Sequence, residues 1–171
     1  KPFKQIELSG AASVIYTQSD TLALKVVADD KEINNIHTTF EGETLVIKAK
    51  GSFSHSYKVY VNSNSLSKII CSGASKLSTQ NTLLADSLSI DVSGAGNVVA
   101  NVKSKAIDVM SSGASSVSLE GNSETLYSTI SGASSLKAYK LTTNTANITA
   151  SGASSAKVYA NDKINANATG S

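Results

Sequence analysis

The sequence predicts an all-β protein: a parallel β-solenoid set behind an antiparallel N-terminal β section. Three observations predict it. A Ser-Gly-Ala tripeptide recurs at a nearly constant interval, and apolar and polar residues alternate on both sides of each copy. The one proline is Pro2, so no later residue is barred from a sheet ladder for lack of an N–H.

The tripeptide stands at Ser9-Gly10-Ala11, Ser72-Gly73-Ala74, Ser93-Gly94-Ala95, Ser112-Gly113-Ala114, Ser131-Gly132-Ala133 and Ser151-Gly152-Ala153. Thr169-Gly170-Ser171 reads as the opening of a further copy. From Gly73 to Gly170 the glycines are 21, 19, 19, 20 and 18 residues apart. Six, four and two residues before them stand Leu88, Ile90, Val92, then Ile107, Val109, Ser111, then Leu126, Ser128, Ile130. The later copies give Ala146, Ile148, Ala150 and Ile164, Ala166, Ala168. Four and six residues after the glycine stand Val98 and Ala100, Val117 and Leu119, Leu136 and Ala138, Ala156 and Val158. This period of two marks strands with one buried face.

Each repeat therefore reads as strand, Ser-Gly-Ala corner, strand and polar return loop. The loops are expected at Gly121-Asn122-Ser123, Thr142-Thr143-Asn144 and Asn161-Asp162. A unit of this size cannot bury its inner face alone, whereas stacked copies can. Stacking sets equivalent strands about 4.8 Å apart. Gly73, Gly94, Gly113, Gly132 and Gly152 are the structural corners, where a side chain would resist the backbone conformation. Cys71 falls in the inward register, as a small buried hydrophobe and not a nucleophile.

Residues 1–61 lack the period and are assigned to an antiparallel N-terminal cap; residues 62–171 are assigned to the solenoid, the two forming one continuous folding unit. Ile6 and Leu8 before Gly10, and Val14 and Tyr16 after it, keep the corner register. Alternating runs follow at Leu22-Leu24-Val26, Leu45-Ile47-Ala49 and Tyr57-Val59-Val61. Glu41-Gly42-Glu43 reads as a hairpin turn between 36–40 and 44–49, and residues 51–56 as a loop. A cap is physically needed, because an open end presents unpaired strand edges.

Composition narrows the function classes. The 171 residues carry a formal charge of only +2, and all the basic residues are Lys. Without Arg, bidentate reading of phosphates or bases is disfavoured, so no nucleic-acid partner is expected. A lone cysteine excludes an internal disulfide and a cysteine metal cluster. No run approaches the ~20 apolar residues of a membrane span. Lys1-Pro2-Phe3 leads straight into strand-like sequence, as a chain relieved of an export signal would.

The opening Phe3-Lys4-Gln5-Ile6-Glu7-Leu8-Ser9-Gly10, the following Val14-Ile15-Tyr16-Thr17-Gln18, the Gly42-Glu43-Thr44-Leu45-Val46-Ile47 segment and the recurrent Ser-Gly-Ala-Ser corners resemble the GIN-domain family, described as an autotransporter adhesin head domain. The resemblance runs over essentially the whole chain. It implies a right-handed parallel β-helix and an exported protein of the periplasm or cell surface, in a Gram-negative bacterium of Bacteroidetes type. It brings no catalytic or ligand residues. This chain departs from the commoner Gly-Ser-Gly form by placing Ala after the glycine.

A search for chemistry gives little. His37 and His55 have no second ligand type at metal spacing, and no metal or cofactor is expected. Ser93-Gly94-Ala95-Gly96 is followed by no helix, so it is not a phosphate loop. Asp91 and Asp108 are outward acids near one column, the one place where a polysaccharide-processing site is conceivable. Lys137 and Lys157 occupy one outward position on consecutive rungs, and Tyr139 and Tyr159 the position two residues on. A Lys/Tyr strip of this kind suits a surface glycan or protein, since Tyr offers a ring face and a hydroxyl.

The expectation is thus a non-enzymatic exported module for adhesion or scaffolding, with self-association through an open C-terminal rung as a further expected contact. The alternative is a carbohydrate-binding or carbohydrate-processing β-helix.

Overall fold

The computed structural model describes residues 1–51 and 57–170, so His55 and most of the expected loop at 51–56 lie outside the described residues. Thirteen strands form one sheet. They are β1 (Gln5–Gly10), β2 (Ser13–Gln18), β3 (Ala23–Val27), β4 (Ile36–Glu41), β5 (Thr44–Ala49), β6 (Lys58–Ser63), β7 (Lys68–Cys71), β8 (Lys76–Thr79), β9 (Leu83–Val92), β10 (Asn97–Ser111), β11 (Ser116–Ile130), β12 (Ser135–Gly152) and β13 (Ser155–Gly170). The chain is an all-β solenoid with a mixed sheet, as its repeats predict.

Two columns of parallel strands flank a line of corners. Before the corners stand β5, β1, β7, β9 and then the C-terminal halves of β10 to β13. After the corners stand β6, β2, β8 and then the N-terminal halves of β10 to β13.

The corner glycines explain the stacking. From Gly10 to Gly152 all six have φ between 69° and 77°, the left-handed region that L side chains avoid. They also touch. A Cβ on Gly132 would stand 2.7 Å from the carbonyl oxygen of Gly113, and one on Gly94 would stand 2.9 Å from that of Gly73. That carbonyl is occupied, because it accepts the N–H of the next rung's alanine: Ala95 N to Gly73 O is 2.8 Å and Ala133 N to Gly113 O is 2.8 Å. The parallel ladder therefore runs through the corner without a break.

At two corners the fourth residue of the motif closes the turn from inside. The Ser134 hydroxyl is buried and donates to the Ser131 carbonyl at 2.6 Å, and Ser115 donates to Ser112 at 2.8 Å. A buried hydroxyl satisfied in this way avoids a desolvation cost of about 1–3 kcal/mol.

The inward positions read from the sequence form one core. Leu88, Ile90, Val92, Ile107, Val109, Leu126, Ile130, Leu136 and Cys71 are all buried. Each large aliphatic in this set contributes about 1.5–3 kcal/mol through burial. Burial fades at β13, which pairs with β12 alone, and Ile164 is 50% exposed there.

Two parts of the chain differ from expectation. The N-terminal section is not an antiparallel meander throughout: β1, β2, β5 and β6 stand in the parallel columns, and only β3 (on β6) and β4 (on β5) run antiparallel. The coil β1–β2 is inserted between coil β5–β6 and coil β7–β8. Alternation alone cannot separate these arrangements, since parallel and antiparallel strands with one buried face share the same period. The Gly42 hairpin between β4 and β5 is as expected, with φ 61° at Gly42.

The expected return loops are also strand. Gly121-Asn122-Ser123 lies within β11 and pairs with Val102-Lys103-Ser104 of β10; Thr142-Thr143-Asn144 and Asn161-Asp162 lie within β12 and β13. A stacked copy offers every turn a ladder partner, so a bend does not have to leave the sheet. Where β2 ends, a side chain substitutes for the ladder: Gln18 donates to the Asn64 carbonyl at 2.9 Å and accepts from the Leu84 N–H at 2.6 Å.

Close approach and backbone strain can be separated experimentally. Gly42 has positive φ but open space around its Cβ position, whereas Gly132 has both constraints. Gly42→Ala should cost about 1–2 kcal/mol of stability, the left-handed strain alone. Gly132→Ala should cost clearly more, about 3 kcal/mol or above, as a clash is added. Urea unfolding of the two variants checks this, and equal losses would show that the glycine contact does not set the rung.

Candidate functional site

The solenoid encloses its apolar residues and presents its chemistry on outward columns, so the sites to weigh are surfaces. Cys71 is not among them. It is fully buried, and desolvation pushes its thiol up to about 12. Asp91 and Asp108 do not face one another: Asp91 is the register partner of Met110, and Asp108 that of Ser89. They stand on adjacent rungs but one column apart. His37 is exposed on β4 opposite Lys48. Among the described residues no three His, Cys, Asp or Glu gather as a metal site.

The Lys/Tyr residues lie on the column after the corner. Val99, Ser118, Lys137 and Lys157 are register partners in succession, so the two lysines are neighbours as their spacing implied. The tyrosines are not register partners. Between β11 and β12 the register passes from Ser118↔Lys137 to Glu120↔Lys140, so Leu119 opposes both Ala138 and Tyr139. Between β12 and β13 it passes from Ala138↔Val158 to Thr142↔Tyr159, leaving Tyr139, Lys140 and Leu141 without partners in β13.

This is a β-bulge, which turns side chains out of the regular pleat and is over-represented beside functional sites. Tyr139 and Tyr159 are 56% and 52% exposed. The Thr143 hydroxyl donates to the Tyr159 carbonyl at 2.8 Å and pins the shifted register. Val99, Ser118, Glu120, Lys137, Tyr139 and Lys140 line a shallow cleft of about 200 Å³.

Lys140 and Glu120 were not singled out by sequence reasoning. A signal existed: the interval from Gly132 to Gly152 is 20 residues against 19 for the preceding rung, and the added residue is the bulge. The face presents three lysines, Lys137, Lys140 and Lys157, against one carboxylate, Glu120, so its local charge is positive.

A second recess also lay outside the sequence reading. Phe3, Leu22, Leu24, Phe40 and Leu45 line an apolar cleft of about 200 Å³ at the N-terminal end. Phe3 and Phe40 pack with ring centroids 6.1 Å apart. Leu22, Leu24 and Phe40 are each about two-fifths exposed, although alternation marks Leu22 and Leu24 as an inner face. The reason is their place at the sheet's edge, where β3 pairs only with β6.

Fold and surface together define a β-solenoid that displays registered columns of side chains around a closed core. The chain belongs to the family described as "Putative auto-transporter adhesin, head GIN domain", whose model matches residues 2–171. Solved structures share the fold at low identity. A "putative adhesin" from Bacteroides fragilis superposes with a TM-score of 0.85 at 20% identity, covering 99% of this chain and 92% of that one. A "Putative lipid binding protein" from Parabacteroides distasonis gives 0.68 at 19%, covering 99% and 93%. A "putative adhesin" from Parabacteroides merdae gives 0.64 at 17%, covering 100% and 92%. No curated protein matches the sequence.

A thiol held protonated in a dry core is unreactive. Native protein at pH 8 should therefore resist alkylation by iodoacetamide at Cys71, and should label fully once unfolded in guanidinium. Rapid native labelling, read by mass spectrometry, would contradict the burial described here.

Proposed function

We propose that the chain is an exported, non-enzymatic module for adhesion or scaffolding at the periplasm or surface of a Gram-negative bacterium, and that the bulged Lys/Tyr face is its contact surface. The observation that carries the reading is the bulge. It shifts the ladder where three lysines and two exposed tyrosines gather. Family membership supports an adhesion role, and the adhesin names of the Bacteroides and Parabacteroides neighbours agree with it. Among the described residues no helix is long and apolar enough to cross a membrane.

The partner suited to this face is a surface glycan or protein that brings negative charge. Lysine ammonium groups attract it at range, and tyrosine rings supply contact area with little conformational entropy to lose. Binding of this type weakens with salt, because exposed charges are screened over about 8–10 Å at ordinary ionic strength.

A second reading rests on the N-terminal apolar cleft. Exposed leucines over a phenylalanine pair form a surface suited to an acyl chain, and one structural neighbour is named as lipid binding. In that case a hydrophobic fluorophore such as cis-parinaric acid should bind the native protein. Leu24→Asp should abolish its fluorescence gain while leaving the unfolding midpoint nearly unchanged.

For the leading reading, wild type on an array of sulfated and uronic-acid glycans and acidic protein ligands should bind at least one of them. The combined change Lys137→Ala/Tyr139→Ala/Lys157→Ala/Tyr159→Ala should weaken that binding about tenfold or more, on the order of 1.4 kcal/mol. Unaltered binding by the fourfold variant would remove this face as the contact surface.

A further inference from the structure

On the other side of the corner lies a surface of different chemistry. The register of β11, β12 and β13 sets Tyr127, Asn147 and Asn165 in one outward column, and Thr129, Thr149 and Asn167 in the next. These six residues line a shallow depression of about 320 Å³. From this array we infer a binding site for a neutral polysaccharide, running along the solenoid axis across β11 to β13. The site is independent of the Lys/Tyr face, which stands on the strands after the corner.

Charge is the first argument. None of the six side chains is a carboxylate or an amine. The nearest charge in the first column is Asp108, the β10 partner of Tyr127; in the second it is Asp91, beyond Met110. An anionic polymer extending along either column would meet a carboxylate, and a cationic one would find no acid in these two columns on β11 to β13. The complementary ligand is uncharged.

Hydrogen-bonding capacity is the second argument. Each Asn presents two donors and a carbonyl acceptor, and each Thr a hydroxyl that does both. Asn165 Nδ2 donates to Asn147 Oδ1 at 2.7 Å, which orients both amides while using one donor and one acceptor. The remaining capacity matches vicinal hydroxyls, which also donate and accept. Tyr127 is 51% exposed and supplies a ring face for a sugar to stack on. A protein partner is disfavoured, because stable protein interfaces are built around an apolar core and this array has none.

The repeat argues for a polymer. The same outward positions recur at about 4.8 Å from strand to strand, so successive units of a chain meet similar groups.

Affinity electrophoresis of the 171-residue chain through gels containing mannan, β-glucan, xylan or galactan tests the inference. Retardation is expected in at least one neutral gel and should survive 0.5 M salt (roughly a 4 Å screening length). Tyr127→Ala, and separately Asn147→Ala/Asn165→Ala, should weaken it about tenfold, whereas Tyr127→Phe keeps the ring and should retain it. Lys137→Ala/Lys157→Ala should leave it unchanged. No retardation in any neutral gel would overturn the inference, as would retardation that persists in Tyr127→Ala or disappears with the lysine changes. Loss in the lysine variant alone would instead favour the Lys/Tyr face.

Discussion

The contact on which the rest of this structure depends is glycine against glycine along the line of corners. The carbonyl of one corner glycine accepts the N–H of the alanine one rung on, and the next glycine's α-carbon sits against that carbonyl. A Cβ would stand 2.6–2.9 Å from the oxygen at Gly73, Gly94, Gly113, Gly132 and Gly152. This constraint is repetitive, so its consequences are too. Because each corner can sit in only one place relative to its neighbour, the strands on either side are held in register, and a one-residue slip would exchange core for solvent. The inward columns of Ile, Leu and Val and the outward columns of Lys, Thr and Asn follow from the same contact.

Much of this was legible because the constraint acts on residue type. Only glycine suits the corner, so the corner is written as a recurring letter, and counting from it finds the core down to Cys71. The buried Ser115 and Ser134 were not legible in this way, because their inward hydrogen bonds carry no periodic signal of their own. Strand partnership was less visible. That β1 lies between β5 and β7, and not at the end of the stack, depends on a chain crossing that leaves the alternation of Ile6-Leu8 and Leu45-Ile47 untouched. The bulge was hidden in plain arithmetic. The interval of 20 residues exceeds its predecessor by the one residue β12 gains over β11. The following interval of 18 reflects four unpartnered residues in β12 (Tyr139, Lys140, Leu141 and Asn144) against two in β13 (Asn161 and Asp162).

A fold of this kind separates stability from recognition more fully than most. From β9 to β12 burial falls on alternate residues and the ladder is mainly backbone, so an outward side chain such as Tyr127 or Lys137 can change without opening the core. Surface substitutions away from special features usually alter stability by less than about 0.5 kcal/mol. Enzymes on compact folds instead build sites from buried, mutually constrained groups. The outward columns here offer breadth and repetition, which suits contacts that are individually weak and gain strength by number.

The two proposed surfaces share a strand. β12 supplies Lys137 just before its bulge, Tyr139 and Lys140 within it, and Asn147 and Thr149 after it. The bulge displaces Tyr139 and Lys140 from the regular pleat, while pairing from Thr145↔Lys163 to Gly152↔Gly170 restores Asn147 and Thr149 to register. The N-terminal half of β12 thus carries an irregular, cationic, aromatic surface, and its C-terminal half a regular, neutral, amide-rich one. Irregular geometry suits a discrete partner with a particular shape, and regular geometry suits a polymer that repeats. That division of labour along one strand depends on the corner glycines at Gly132 and Gly152, which hold both ends of β12 fixed while the residues between them depart from the ladder and return to it.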